Sequence, residues 1–339
     1  MRYMVTMRKI AELCGVSTAT VSKALNHETD ISGETARRIR EAASKMGYQP
    51  NSAARALKTR HTHNIGMLTA LRDRNGMAHE FVAQIISAFQ ENAEEHGYDV
   101  TLLSDRIIGH TAGYLEHCRY RGFDGVAVIT ADMPAPMIRE LLESEIPSIT
   151  VDAADISHGC VITDNESAMR ELVGYAFEQG HRKIAFIHGE ASYITRVRVA
   201  SFRRTYAEHG LDMPESYLRE AFYNDGATTA SAVRELLALP DPPTCILFPD
   251  DCAYVYAQRE LETLGCPLPP QLGVAGFDGV GLVQAMRPRL TTYWQDAESL
   301  GKRALLELLE AVEAPKTYLP RRLLIPGRLV RGETIPRLG

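Results

Sequence analysis

At 339 residues the chain is too long for one ordinary core and implies two or three domains, and a composition of 45% hydrophobic and 24% charged residues excludes intrinsic disorder. No run of about 18 apolar residues occurs and the first residues lack a secretory leader, so a cytoplasmic protein with no membrane partner is expected. The net charge of −6 hides a division: residues 1–63 hold 11 Lys/Arg against 5 Asp/Glu, while the remainder holds 26 against 38, which points to an anionic partner for the N-terminal segment alone.

After a short tail, three helices are predicted. The first runs from Met7 to Leu13 behind Thr6 as N-cap, and Gly15 ends it in the left-handed conformation. Ser17 caps a second helix, Thr18 to Leu25, and Ser32 caps a third from Gly33 to Met46, stopped by Gly47. Ile10, Leu13, Val16, Val21, Leu25 and Ile39 are the expected core, with Ala11 leaving room for the first crossing. Pro50 breaks the third helix, and Asn51 caps one further short helix that needs a partner to persist.

From Asn64 the pattern becomes α/β. Strands are predicted at 65–68, 100–103, 125–129, 147–151 and 160–163, with a helix over Phe81–His96. A second series follows: helix 165–179, strand 184–187, helix 198–208, strand 244–248, helix 253–264 and strand 273–277. Alternating strands and helices imply doubly wound parallel sheets, and two series imply two lobes. Ligands of such folds sit beyond the carboxyl ends of the strands.

The six cysteines (14, 118, 160, 245, 252 and 266) are scattered without CxxC or zinc-type spacing, so reduced thiols are expected. No HExxH, GxSxG or P-loop spacing occurs. Catalytic residues, metal ligands and cofactors are therefore not expected, and His181 is read as a capping or packing residue.

Residues 10–26, IAELCGVSTATVSKALN, closely resemble the headpiece of lactose-repressor (LacI/GalR) family regulators, and residues 47–57, GYQPNSAARAL, resemble that family's third-helix end and hinge helix. The likeness continues through GHRKIAFI at 180–187, Gly276-Phe277-Asp278 and Pro288-Arg289-Leu290-Thr291-Thr292. It implies an all-α helix-turn-helix headpiece plus an α/β two-lobed periplasmic-binding-protein-like sensor domain. The implied boundaries are 1–49 for the headpiece, 50–63 for hinge and linker, 64–163 plus about 291–320 for lobe one, and 164–290 plus about 321–332 for lobe two.

The resemblance places the second helix in the major groove. Thr18, Ala19 and Lys23 would meet base edges there, with Ser17, Thr20 and Ser22 as phosphate or auxiliary contacts. Asn51 would cap the hinge helix, Ala54 pack between paired hinge helices, Arg55 contact phosphate, and Leu57 wedge into a central base step. Leu57 packed on the sensor is the alternative. The implied partner is double-stranded DNA with a pseudo-palindromic operator. A homodimer is favoured over a tetramer, because no leucine heptad follows Arg331-Gly332.

For ligand sensing, the resemblance implies roles for Asp152, Arg198 opening a helix, Asp250 beside Asp251, Asp278, and Gln295 on the crossover back to lobe one. Phe81, Tyr223 and Trp294 would offer an apolar face. Asp152 also suits a turn, and Tyr223 also suits simple packing. Carboxylates, an amide and one guanidinium favour a sugar or sugar derivative as effector. Asp250 stands where the family usually has Asn, and the extra carboxylate argues against an anion, although Arg198 could offset it. Inducer and corepressor stay equally open, and a phosphoprotein coregulator is a further option.

Overall fold

The computed structural model describes residues 5–25, 30–48, 61–69, 79–104, 106–107, 110–111, 113–129, 135–153, 158–266 and 272–338. The hinge positions Asn51, Ala54, Arg55 and Leu57 lie outside the described residues. The chain forms two units, Met1–Thr62 and His63–Gly339.

The first unit contains α1 (Met7–Cys14), α2 (Thr18–Leu25) and α3 (Gly33–Lys45). Gly15 ends α1 at φ +64°, in the left-handed region that costs glycine little. The Ser17 hydroxyl accepts from Thr20 N at 3.1 Å, and that of Ser32 from Thr35 N at 3.3 Å, satisfying amides at the starts of α2 and α3. Thr6 occupies the N-cap position of α1 without a side-chain bond.

Ile10, Val21 and Ile39 are fully buried, and the rest of this core is alanine: Ala11, Ala24, Ala36 and Ala43. Val16 and Leu25 are half-buried at its edge. Leu13 corrects the expected core, because it is 66% exposed. The inward stripe of α1 runs through Met7, Ile10, Ala11 and Cys14. Successive helical residues are about 100° apart, which leaves Leu13 off that stripe.

The second unit holds two six-stranded sheets, one per lobe. The first is entirely parallel, in the order Arg322–Ile325, Gly159–Thr163, Ser148–Val151, Gly125–Ile129, Asn64–Thr69, Asp99–Leu102. The second runs Arg328–Val330, Thr291–Trp294, Gly273–Asp278, Cys245–Leu247, Ile184–His188, Leu218–Glu220, with only its first strand antiparallel. Central strands such as Gly125–Ile129 are buried along their whole length, because helices cover both faces.

The C-terminal boundaries differ from expectation. Thr291–Trp294, expected in lobe one, pairs with Gly273–Asp278 in the second sheet. Arg322–Ile325, expected in lobe two, pairs with Gly159–Thr163 in the first. The chain therefore crosses between lobes repeatedly near its end, and short apolar strands carry no periodicity that tells one sheet from another.

Between those strands the helix Ala297–Glu313 packs on lobe one against Glu80–Glu95. Gly301 makes that crossing close: a Cβ there would stand 2.4 Å from the Ile85 carbonyl oxygen.

Candidate functional site

The strands of both lobes end toward a group of buried polar side chains. In lobe one, Asp152 follows Val151 with φ +52°. In lobe two, Asp250 and Asp251 follow the strand Cys245–Leu247, and Asp278 ends its own strand at φ +107°. Left-handed backbone at a non-glycine residue costs of order 1–3 kcal/mol and concentrates at binding sites. Two such residues among the cleft carboxylates fit that pattern.

Arg198 is the organising cation. Its helix begins at Tyr193, where Ser192 caps Thr195 N at 3.0 Å, so Arg198 lies in the second turn rather than opening the helix as expected. The serine cap simply precedes the apolar periodicity. The guanidinium is 4% exposed, donates through Nε to Asn165 Oδ1 at 2.6 Å and through Nη1 to the Pro249 carbonyl at 2.9 Å. It stacks 3.6 Å over the Phe277 ring.

Asp278 accepts from Gln295 Nε2 at 2.6 Å, and its other oxygen lies 3.6 Å from His79 Nε2. Gln295 is buried, and its amide N donates to the Asp278 carbonyl at 3.1 Å. Asp250 caps the helix Asp251–Thr263 by accepting from Ala253 N at 2.6 Å. Asp251 is spent internally, accepting from Gly279 N, Val280 N and the Thr292 hydroxyl at 2.7–2.9 Å.

Tyr223 is half-buried; its ring lies against Gly189, where a Cβ would come within 2.1 Å. Burial raises its phenol pKa, Arg198 opposes this, and Asp250, Asp152 and Asp278 raise it further, which puts Tyr223 in the same electrostatic group. Phe81 is buried in the apolar core. Trp294 is half-exposed, with the Arg328 guanidinium 3.9 Å over its indole.

In this group, the buried acceptors Asp152 Oδ1, Asp250 Oδ2 and Gln295 Oε1 have no hydrogen-bond partner among the described residues. His79 Nδ1 is likewise buried without one. Unpaired buried polar atoms cost about 1–3 kcal/mol each, so their convergence marks a place built for something else to fill.

Burial dominates the carboxylate pKa values here. It pushes Asp152 up to about 6, with Arg198 pulling the other way, and Asp251 up to about 7 against its donors. Asp250 and Asp278 are also raised, chiefly by burial. The native state thus keeps protons that the unfolded chain has already released near 3.8. These groups therefore destabilise the fold increasingly as pH rises from about 4 to about 7. Asp152→Asn should gain melting temperature on the wild type as pH climbs from about 4 to about 6. A difference that stays flat across that range would show Asp152 ionised at its ordinary value.

In the first unit, the cap Ser17 and the α2 residues Thr18 and Ala19 are exposed, while Thr20, Ser22 and Lys23 are half-buried. The Ser17 and Thr20 hydroxyls bond each other at 2.9 Å, and Lys23 pairs with Asp30. His181 is fully buried between Thr244 and the Pro336 carbonyl, each at 3.0 Å, which is a packing role.

Family models match both units. Residues 6–51 match the bacterial regulatory proteins of the lacI family, and residues 173–335 match a periplasmic binding protein-like domain. The chain therefore joins a lacI-family DNA-binding region to a periplasmic-binding-protein-like domain for control by ligand, the make-up of a DNA-binding transcriptional repressor and not of an enzyme. Among its relatives, the probable HTH-type transcriptional repressor ExuR of Bacillus subtilis is 29% identical over 319 residues, 93% of each chain. The HTH-type transcriptional repressor PurR of Escherichia coli is 27% identical, covering 98% of this chain and 97% of the relative. The lac repressor dimer bound to operator and an anti-inducer shares the fold at TM-score 0.80, with 22% identity over 98% of this chain and 99% of that one. A CelR–cellobiose complex does so at TM-score 0.69, with 24% identity over 97% and 99%.

Of the sequence-predicted ligand residues, Asp152, Arg198, Tyr223, Asp250, Asp278 and Gln295 fall in one polar group, and Phe81 lies in the core two residues from His79. His79, Asn165 and Cys252 were not foreseen. Asn165 stands next to the helix cap Asp164, and a capping position is all that its place in the sequence signals.

Proposed function

We propose that this repressor acts as a homodimer on a pseudo-palindromic operator, and that its effector is a neutral, hydroxyl-rich carbohydrate held between the two lobes. The observation that carries the reading is the set of buried acceptors at Asp152, Asp250 and Gln295 that have no partner among the described residues. Such a set wants donors, and a polyol supplies several at once. Anions fit poorly. Arg198 already donates to Asn165 and Pro249, and Asp152, Asp250 and Asp278 surround it. The cellobiose complex of a regulator with this fold supports the same chemistry.

The likeness to a repressor dimer on its operator supports twofold reading of DNA. Thr18, Ala19 and Lys23 would face bases, flanked by Ser17, Thr20 and Ser22, with Asn51, Ala54, Arg55 and Leu57 completing the contact from the hinge. Lys23 would exchange Asp30 for guanine O6 and N7.

A thermal-shift screen of neutral, carboxylated and phosphorylated sugars tests the effector class. A neutral sugar at about 100 times its Kd should stabilise the protein by about 2.7 kcal/mol. It should also change the fluorescence of Trp294, the chain's single tryptophan, which pairs with Asp278 across the sheet. Stabilisation by carboxylated or phosphorylated sugars alone would refute the neutral-ligand reading.

A further inference from the structure

His79 precedes the helix Glu80–Glu95 of lobe one, while Asp250 and Cys252 stand at the start of the helix Asp251–Thr263 in lobe two. One ligand atom from each lies within 4.8 Å of the others. We infer that His79, Asp250 and Cys252 form a binding site for a borderline-soft divalent cation, zinc in the first instance, that ties the two lobes together.

Imidazole, carboxylate and thiolate are the donor set that zinc accepts, with a fourth position left to water. Two of the three donors are buried and idle. Asp250 is 3% exposed, and its Oδ2 finds no partner among the described residues; the same holds for His79 Nδ1. The opposite ring nitrogen of His79 faces Asp278 Oδ2 at 3.6 Å, the carboxylate–histidine arrangement that orients an imidazole toward a metal. With Asp250 and Asp278 close together, a divalent cation also relieves the repulsion between them. Cys252 would bind the ion as its thiolate, so the thiol proton must leave. The ion replaces that proton, which passes to solvent, so binding should weaken as pH falls.

The spacing gives the site a regulatory sense. Tetrahedral bonds of about 2.0–2.3 Å set ligand atoms about 3.5 Å apart. The three ligand atoms lie within 4.8 Å of one another, so any excess over that spacing has to close as the ion is seated. One ligand belongs to lobe one and two to lobe two, so a bound ion links the lobes. They already touch here, where Gly281 N donates to Glu80 Oε1 at 2.7 Å. The ligand set stands by itself, the ion taking up the Asp250 Oδ2 that a sugar hydroxyl would otherwise meet; only its consequence for repression rests on the ligand-controlled reading above.

The test titrates chelator-stripped full-length protein with Zn²⁺ and with Co²⁺. One ion per chain and a thiolate-to-cobalt charge-transfer band are expected. Cys252→Ser should abolish the band, and Cys252→Ser and His79→Gln should each weaken Zn²⁺ binding by more than about 100-fold, since losing even an outer-shell partner costs about 10–100-fold. Cys14→Ser should change neither. A wild-type cobalt complex without the thiolate band, or unchanged zinc affinity in folded Cys252→Ser, would overturn the site. Carbohydrate binding is scored separately, by Trp294 fluorescence in stripped protein, so its loss would count against the effector and not against the cation.

Discussion

Replacing Arg198 with alanine is expected to lower the melting temperature of the second unit by about 6–20 °C. Truncating one member of a buried charged network costs about 3–5 kcal/mol, and each kcal/mol is worth about 2–4 °C in a domain near this size. The loss has three parts. Asn165 Oδ1 and the Pro249 carbonyl lose their donors, and the face of Phe277 loses its stacked guanidinium. Asp152, Asp250 and Asp278 lose the cation that favours their charged forms.

The electrostatic part makes the deficit depend on pH. Without Arg198 the three carboxylates retain protons to still higher pH, so the variant should suffer less at pH 5 than at pH 8. Arg198→Lys separates charge from shape. An ammonium keeps the positive charge but loses the planar stack and the forked pair of donors, so its stability should fall between wild type and alanine. A melting temperature within about 1 °C of wild type for Arg198→Ala would mean that the observed bonds contribute nothing net.

Much of this arrangement was legible in the sequence, for reasons specific to each element. The capped helices of the first unit follow from Gly15, Ser17 and Ser32, whose local chemistry decides where a helix starts or stops without help from tertiary contacts. The strand ends bearing Asp152, Asp250 and Asp278 follow from the two α/β series. What escaped was decided at long range. Thr291–Trp294 and Arg322–Ile325 are strands of four residues each, and only their partners tell which sheet each joins. His79 meets Asp278 and Asp250 across the lobes, from nearly two hundred positions away in sequence, and no motif spacing spans that gap. Leu13 was assigned inward because it is apolar, yet the stripe of α1 is set by where α2 and α3 press on it.

That last difference yields a decisive pair of variants. The core of the first unit has three fully buried branched side chains, Ile10, Val21 and Ile39, and otherwise alanines. Ile39→Ala should cost about 2–5 kcal/mol, and a domain this small rarely holds more than about 3–5 kcal/mol in all. The unit should therefore unfold, and specific binding to operator DNA selected from a random pool should vanish. The calorimetric melt of the second unit and its Trp294 response to ligand should be unchanged, because residues from His63 onward form their own compact unit. Leu13→Ala should instead cost within about 0.5 kcal/mol, as expected of a surface substitution. If Leu13→Ala proved the more damaging, the inward face of α1 would lie where the apolar pattern alone put it, and the packing of Ile10 and Ala11 against Ile39 would be wrong.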